Sequence, residues 1–187
     1  MTAARIMLIR HAEKPSDDGK IHGVDVTGEK DHESLSVRGW QRAGAISALF
    51  TNQRGRLSHK GLSIPDQLYA TAHGHENHSR RPVHTLLPLR ERLGLPVNIA
   101  FEDKDTKGLL RSVALASDQT VLICWHHEQI PHVAAAILGT HEVAPTTWPD
   151  ERFDVIWCFD WDRDESGYHF SQIPMELLSG DLREGIQ

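Results

Sequence analysis

The sequence is short of cysteine, of positive charge and of long apolar runs, and each shortage argues against a class of protein. Two cysteines in 187 residues, Cys124 and Cys158, cannot build a disulfide framework. Both lie inside apolar, strand-like runs, where a thiol behaves as a small buried hydrophobe, which suits a reducing compartment. Lysine and arginine number 20 against 26 acidic residues, a formal charge of −6. That balance argues against a broad nucleic-acid surface, and any anion must be held in a locally basic pocket. No apolar run approaches the roughly 20 residues of a membrane helix, and no apolar signal core opens the chain. The expectation is a soluble, cytoplasmic protein with no membrane or nucleic-acid partner. Neither a repeat nor a low-complexity tract interrupts the composition, so residues 1–187 are expected to form one domain.

What is present is an alternation. Apolar runs of strand length at Arg5–Ile9, Gln67–Ala70, Val97–Ala100, Thr120–Trp125, Phe153–Phe159 and Tyr168–Gln172 are separated by segments of helical period, the pattern of an α/β fold with a mostly parallel sheet. The clearest helix starts after Ser36 as N-cap and runs through Trp40, Ala43, Ile46 and Phe50. Others are predicted over about 81–93, with Pro82 in the first turn and Gly94 as the stop, over 106–116, and over 130–138, stopped by Gly139. Segments 14–34 and 71–80 are polar and longer than ordinary connections, the composition of functional loops. The tail from Ser179 is expected to be loosely held, and "DRDESG" reads as a hairpin turn between the last two strands. Trp40 and Trp157 read as core residues, Trp125 as core or pocket wall, and Trp148 and Trp161 as loop packing.

Ligands of open α/β sheets bind beyond the carboxyl ends of the strands. Three of those ends carry histidine or arginine. Arg10 and His11 follow the first strand, Ser79-Arg80-Arg81 lies beyond the second, and His126-His127 follows the fourth. Guanidinium groups present a flat fork of donors matched to phosphate oxygens, and a neutral imidazole is a competent nucleophile toward phosphorus. Such a site needs no metal.

The 13 histidines leave two metal readings to weigh. "HGHENH" places His73, His75 and His78 in one loop, but without cysteine or a fixed turn the spacing fits a solvated loop near the site better than a metal site. "HHEQIPH" fails as a zinc-protease helix, because His127 and His132 are five apart, about 140° around a helix, with Pro131 between them.

"LIRHAEK" resembles the RHG signature of the histidine phosphatase superfamily, which includes the cofactor-dependent phosphoglycerate mutases. "SLSVRGWQRA", "RPVHTLLPLRERLGL" and "TVLICWHHEQIP" are similar to later segments of that family, in its order, over about residues 5–138. The resemblance implies a phosphoglycerate-mutase-like, three-layer α/β/α sandwich and a metal-independent, cofactor-free phosphatase that acts on small phosphorylated substrates and releases inorganic phosphate. Position by position, His11 corresponds to the phosphorylated nucleophile, Arg10 to its phosphate-binding neighbour, Arg81 to the second arginine, four residues before Thr85, and His126 to the second histidine. Arg80 and His127 are the alternatives to Arg81 and His126. The proton donor stays open: Glu102 or Asp105 matches the mutase-like position, His127 or Glu128 the acid-phosphatase position, and Glu13 is a pocket position of the family. The family's Ser-Pro pair before the second arginine is replaced by the longer "ATAHGHENHSRR". A mutase-like phosphotransferase and a catalytically weak phospho-ligand binder are the competing functions.

Overall fold

A computed structural model describes residues 2–51, 61–72 and 78–187. His73 and His75 of the histidine-rich loop lie outside them. Among the described residues are eight strands and four helices: β1 Arg5–Arg10, β2 Gly23–Val24, β3 Leu35–Ser36, α1 Val37–Leu49, β4 Gln67–Thr71, α2 Arg81–Leu93, β5 Val97–Phe101, α3 Thr106–Val113, β6 Thr120–Trp125, α4 Ile130–Leu138, β7 Val155–Asp162 and β8 Gly167–Pro174. Six strands form one sheet in the order β5-β4-β6-β1-β7-β8. The first four are mutually parallel, and β7 and β8 run antiparallel to close one side. β2, inside the 14–34 segment read as a long polar loop, pairs with β3, just beyond it, in a separate small ladder.

The side-chain period of two in the central strands builds both faces at once. Ile6, Leu8, Val121, Ile123 and Trp125 pack on one side against Leu109 and Val113 of α3 and Ile130, Val133 and Ala134 of α4. Met7, Ile9, Leu122 and Cys124 pack on the other against Ile46, Leu49 and Phe50 of the α1 region and Leu86 and Leu89 of α2. The result is a three-layer α/β/α sandwich. Both cysteines are free and buried within it. No helix among the described residues is long and apolar enough to cross a membrane.

Local chemistry explains most boundaries. The Ser36 hydroxyl caps α1 by accepting from the Gly39 amide at 3.1 Å. Helices α2 and α4 end on Gly94 and Gly139 in the left-handed region. α3 stops three residues before the expected end, because the amides of Leu115 and Ala116 bond three residues back, to Ser112 and Val113, and tighten the chain into turns. The hairpin between β7 and β8 is held by Asp162, whose carboxylate accepts the amides of Asp164 and Glu165. Trp157 and Trp125 are fully buried, and Trp40 is only half-buried, its indole N–H donating to the Val24 carbonyl.

Three expectations are overturned. Trp161 is not in a loop but in β7, its ring centroid 5.1 Å from that of Tyr168. Trp148 is not loop packing: it is buried against Trp157, with ring centroids 4.9 Å apart, and its N–H donates to the Arg152 carbonyl. The tail is not loose. Asp181 accepts both terminal nitrogens of Arg42 at 3.0 and 2.7 Å, Arg152 donates to the carbonyl of Glu184, and Ile186 is buried with its amide on Gln172. Paired charge and backbone bonding hold a segment whose composition is that of a free end.

Candidate active site

The parallel register of β1 and β6 sets Arg10 beside Trp125. The next residues of the two strands, His11 and His126, therefore emerge side by side at the carboxyl edge of the sheet. Their rings meet edge to face with centroids 5.3 Å apart. The chain leaves β1 through Ala12, whose amide donates to the Thr85 hydroxyl at 2.8 Å, while that hydroxyl also bonds the Arg81 carbonyl. Thr85 thus ties the turn after the nucleophile candidate to the first turn of α2. Glu13 follows, and its carbonyl accepts from the amide and hydroxyl of Ser36. Helix α1 comes so close that a Cβ on Gly39 would lie 2.4 Å from the Glu13 carbonyl oxygen, so only glycine fits there.

Arg10 is the most constrained member. It is 1% exposed, and its guanidinium carbon lies 3.9 Å from the centroid of the Phe153 ring. One terminal nitrogen, Nη1, donates to the carbonyls of Pro149, Asp150 and Arg152 at 3.1, 2.5 and 3.2 Å. Nε and Nη2 are buried and have no hydrogen-bond partner among the described residues. A buried guanidinium with donors to spare is a site for an anion's oxygens. Burial draws its pKa down to about 10, which leaves it charged at neutral pH.

His11 is 3% exposed and sits within the fields of His126, Arg10 and Arg81. Burial first, and then those neighbours, hold its pKa well below the ordinary value. Its Nδ1 lies 2.8 Å from the Ala12 carbonyl oxygen. That oxygen only accepts, so in the neutral ring Nδ1 carries the hydrogen and Nε2 keeps a lone pair. His126 is pushed down to about 4, mainly by burial, with Arg81 adding to it; its Nε2 is 3.4 Å from the Thr71 hydroxyl. Arg81, in the first turn of α2, is half-buried, its Nη1 on the His32 carbonyl at 3.4 Å and its Nε buried with no hydrogen-bond partner among the described residues. Arg80 points away, exposed, 3.7 Å from Asp31.

The carboxylates separate clearly. Glu13 is bound by Arg42 through three contacts of 2.9–3.1 Å and by Arg38 at 3.2 Å, so it braces α1 against the turn after β1. Asp105 caps α3 through the Gly108 amide. Glu102 is exposed beyond β5. Glu128 faces the site: its charge acts on Arg10, Arg81, His126 and His127. His127 turns to the other side, its Nε2 2.6 Å from a carboxylate oxygen of Asp150. Phe153 and Asp150 belong to no motif; Phe153 was expected to open the strand that starts instead at Val155, and Asp150 carried no signal. Among the described residues no group of three or more His, Cys, Asp or Glu side chains is arranged to hold a metal ion.

No protein-family model matches the sequence, and no curated protein matches it. Solved structures do match its fold. A mycobacterial glucosyl-3-phosphoglycerate phosphatase in complex with VO3 is 14% identical, with a TM-score of 0.57 over 90% of this chain and 97% of its own. A phosphoserine phosphatase from Entamoeba histolytica is 15% identical, with a TM-score of 0.56 over 91% and 95%. YhfR from Bacillus stearothermophilus is 14% identical, with a TM-score of 0.55 over 97% and 98%. These neighbours are members of the histidine phosphatase superfamily, and the architecture described above is theirs.

Proposed function

We propose that this protein hydrolyses phosphomonoesters or related phosphoryl compounds through a phosphohistidine on His11. The observation that carries the reading is the buried, charged Arg10 whose Nε and Nη2 are unclaimed by the protein, next to an imidazole kept neutral by its surroundings. Arg10 and Arg81 hold the phosphoryl oxygens, and Nε2 of His11 attacks phosphorus in line as the bond to the leaving oxygen breaks. His126, against His11, supports the oxygens as charge builds on them. Of the carboxylates weighed, Glu128 suits the proton donor, because Glu13 and Asp105 are committed elsewhere and its charge acts on Arg10, Arg81 and His126. Its carboxyl gives a proton to the leaving oxygen, and as carboxylate it takes one from the water that then attacks the phosphohistidine, restoring His11 and releasing phosphate.

The alcohol part of the substrate fits a cavity of about 370 Å³ in the segment 14–34, lined among others by Asp17, Ile21, His22, Lys30 and Asp31. It adjoins His32, whose carbonyl holds Arg81. Phosphoserine and glucosyl-3-phosphoglycerate, the esters named for two fold neighbours, open the substrate screen.

Phosphate release from aryl phosphates, measured with EDTA present in the wild type and in His11→Ala, tests the reading. Turnover that survives EDTA and is abolished by the substitution is expected. Near-wild-type turnover in His11→Ala refutes it, and vanadate binding without turnover of any ester in the wild type would make the chain a phospho-ligand binder.

A further inference from the structure

Beside the four central residues, the imidazole of His127 stands between two carboxylates. His127 is half-buried; its Nε2 lies 2.6 Å from Oδ1 of Asp150, and its Nδ1 lies 3.0 Å from Oε2 of Glu128. The carboxylate of Asp150 only accepts, so Nε2 carries the hydrogen of that bond. Nδ1 is then the one ring atom left for Glu128. A small turn of the Glu128 carboxyl would bring it into line with Nδ1, to give its O–H to a neutral ring or to accept from an imidazolium. The contact with Glu128 has ion-pair length but lies off a hydrogen bond's line, which leaves the carboxyl free to turn to a leaving oxygen.

Asp150 has a second attachment. Its backbone carbonyl accepts Nη1 of Arg10 at 2.5 Å, so one residue bonds the phosphate-binding arginine through its main chain and His127 through its side chain. The loop residue thereby fixes the distance between the group that would hold phosphate and the group that would protonate what leaves.

We infer that His127 is a positioning residue, anchored on Asp150, that holds the carboxyl of Glu128 ready to protonate the leaving group. The inference rests on the phosphatase reading and on Glu128 as its acid. It implies a specific pattern of loss. An ester whose leaving group departs as a stable anion needs no proton, whereas phenyl and alkyl esters need one, so a displaced Glu128 penalises the second kind selectively.

The test is kcat/KM across aryl and alkyl phosphates graded by leaving-group basicity, for the wild type, Glu128→Gln, His127→Ala, Asp150→Ala and Asp150→Asn, with inhibition by inorganic phosphate measured in each. Glu128→Gln, His127→Ala and Asp150→Ala should each lose about tenfold or more on phenyl phosphate relative to 2,4-dinitrophenyl phosphate. Asp150→Asn, which keeps an acceptor for the Nε2–H of His127, should recover most of that loss. Inhibition by phosphate should shift by less than about threefold in Asp150→Ala, because Arg10 bonds the carbonyl that every side chain leaves in place. A steepened series in Glu128→Gln together with a wild-type series in His127→Ala and Asp150→Ala overturns the positioning role and leaves the acid standing. A wild-type series in Glu128→Gln overturns both. A loss uniform across the series, with weakened phosphate inhibition, would assign Asp150 to the Arg10 cage alone and also refute the inference. A wild type inactive on every ester removes the phosphatase reading itself.

Discussion

Replacing Arg10 by lysine keeps one positive charge and removes the fork that the structure uses in two directions. A guanidinium has five N–H donors. In this protein Nη1 is spent on the carbonyls of Pro149, Asp150 and Arg152, while Nε and Nη2 stay uncommitted. An ammonium carries its donors on one atom, so it can serve the carbonyl cage or the phosphoryl oxygens but not both. Loss of one preorganised donor to a transition-state oxygen costs about 10²–10³ in rate, or roughly 3–4 kcal/mol. Arg10→Lys is therefore expected to lower kcat/KM on aryl phosphates by about 10²–10³, with weaker inhibition by vanadate. Burial lowers the pKa of Arg10 to about 10, and the same desolvation acting on a lysine, which gives up its proton more readily, should make the defect grow as pH rises. Steady-state kinetics between about pH 5 and 8, with a thermal melt to show that the variant is folded, give the answer. A kcat/KM within about fivefold of the wild type would mean that the spare donors of Arg10 do not meet the reacting phosphoryl group.

Asp181→Ala should destabilise the fold by about 3 kcal/mol, because it strips one partner from a pair whose side chains are only 3% and 4% exposed while Arg42 keeps Glu13. In a chain of this length that is a fall of roughly 6–12 °C in Tm by calorimetry, and a fall under about 3 °C would show that the tail contributes little. For His126, pushed down to about 4 chiefly by burial, the folded state binds fewer protons than the unfolded between pH 6.5 and 4. Stability is thus full above that window and falls as pH drops through it, by up to about 3 kcal/mol. Urea unfolding of the wild type and His126→Asn at several pH values should show the gap between them changing across that window; parallel curves would refute the assignment.

The strands and the helices flanking them were legible because their signals are local. Alternation of Ile6 and Leu8 with Met7 and Ile9, the hydroxyl of Ser36 before a helical period, and Gly94 and Gly139 after one each act within a few residues. Arg10, His11 and His126 were legible for a related reason: each stands at or just past the end of a strand, and parallel strands in one sheet must bring such ends together. The choice between Arg80 and Arg81 is equally local, since the N-cap residue and the first residue of a helix face different ways, and the structure half-buries the second. What the sequence did not disclose depends on separation. Arg10 finds the Asp150 carbonyl 140 residues on, and Arg42 finds Asp181 139 residues on. Neither partner carries a signal until β7 and β8 return antiparallel and set the last third of the chain beside the first.

Those distant partners bear on the proposed function, because Arg10 and His11 alone would not make a phosphate site. On an open strand end the guanidinium of Arg10 would be solvated and its donors turned to water. Here three carbonyls of residues 149–152 and the ring of Phe153 fix its plane, so that Nε and Nη2 are withheld from the protein and from solvent alike. That loop is itself fixed from behind: Arg152 pairs with Asp154 at 2.7 Å and donates to the Glu184 carbonyl, and its own carbonyl takes the Trp148 N–H. Asp154 in turn accepts the Leu182 amide, and Asp181 reaches Glu13 through Arg42. The tail thus braces the proposed site twice, once under Arg10 and once under the turn that follows His11. Donor geometry that must hold to a few tenths of an ångström depends on such support, so substitutions at 150–154 or 181–184 should lower activity with no contact to substrate.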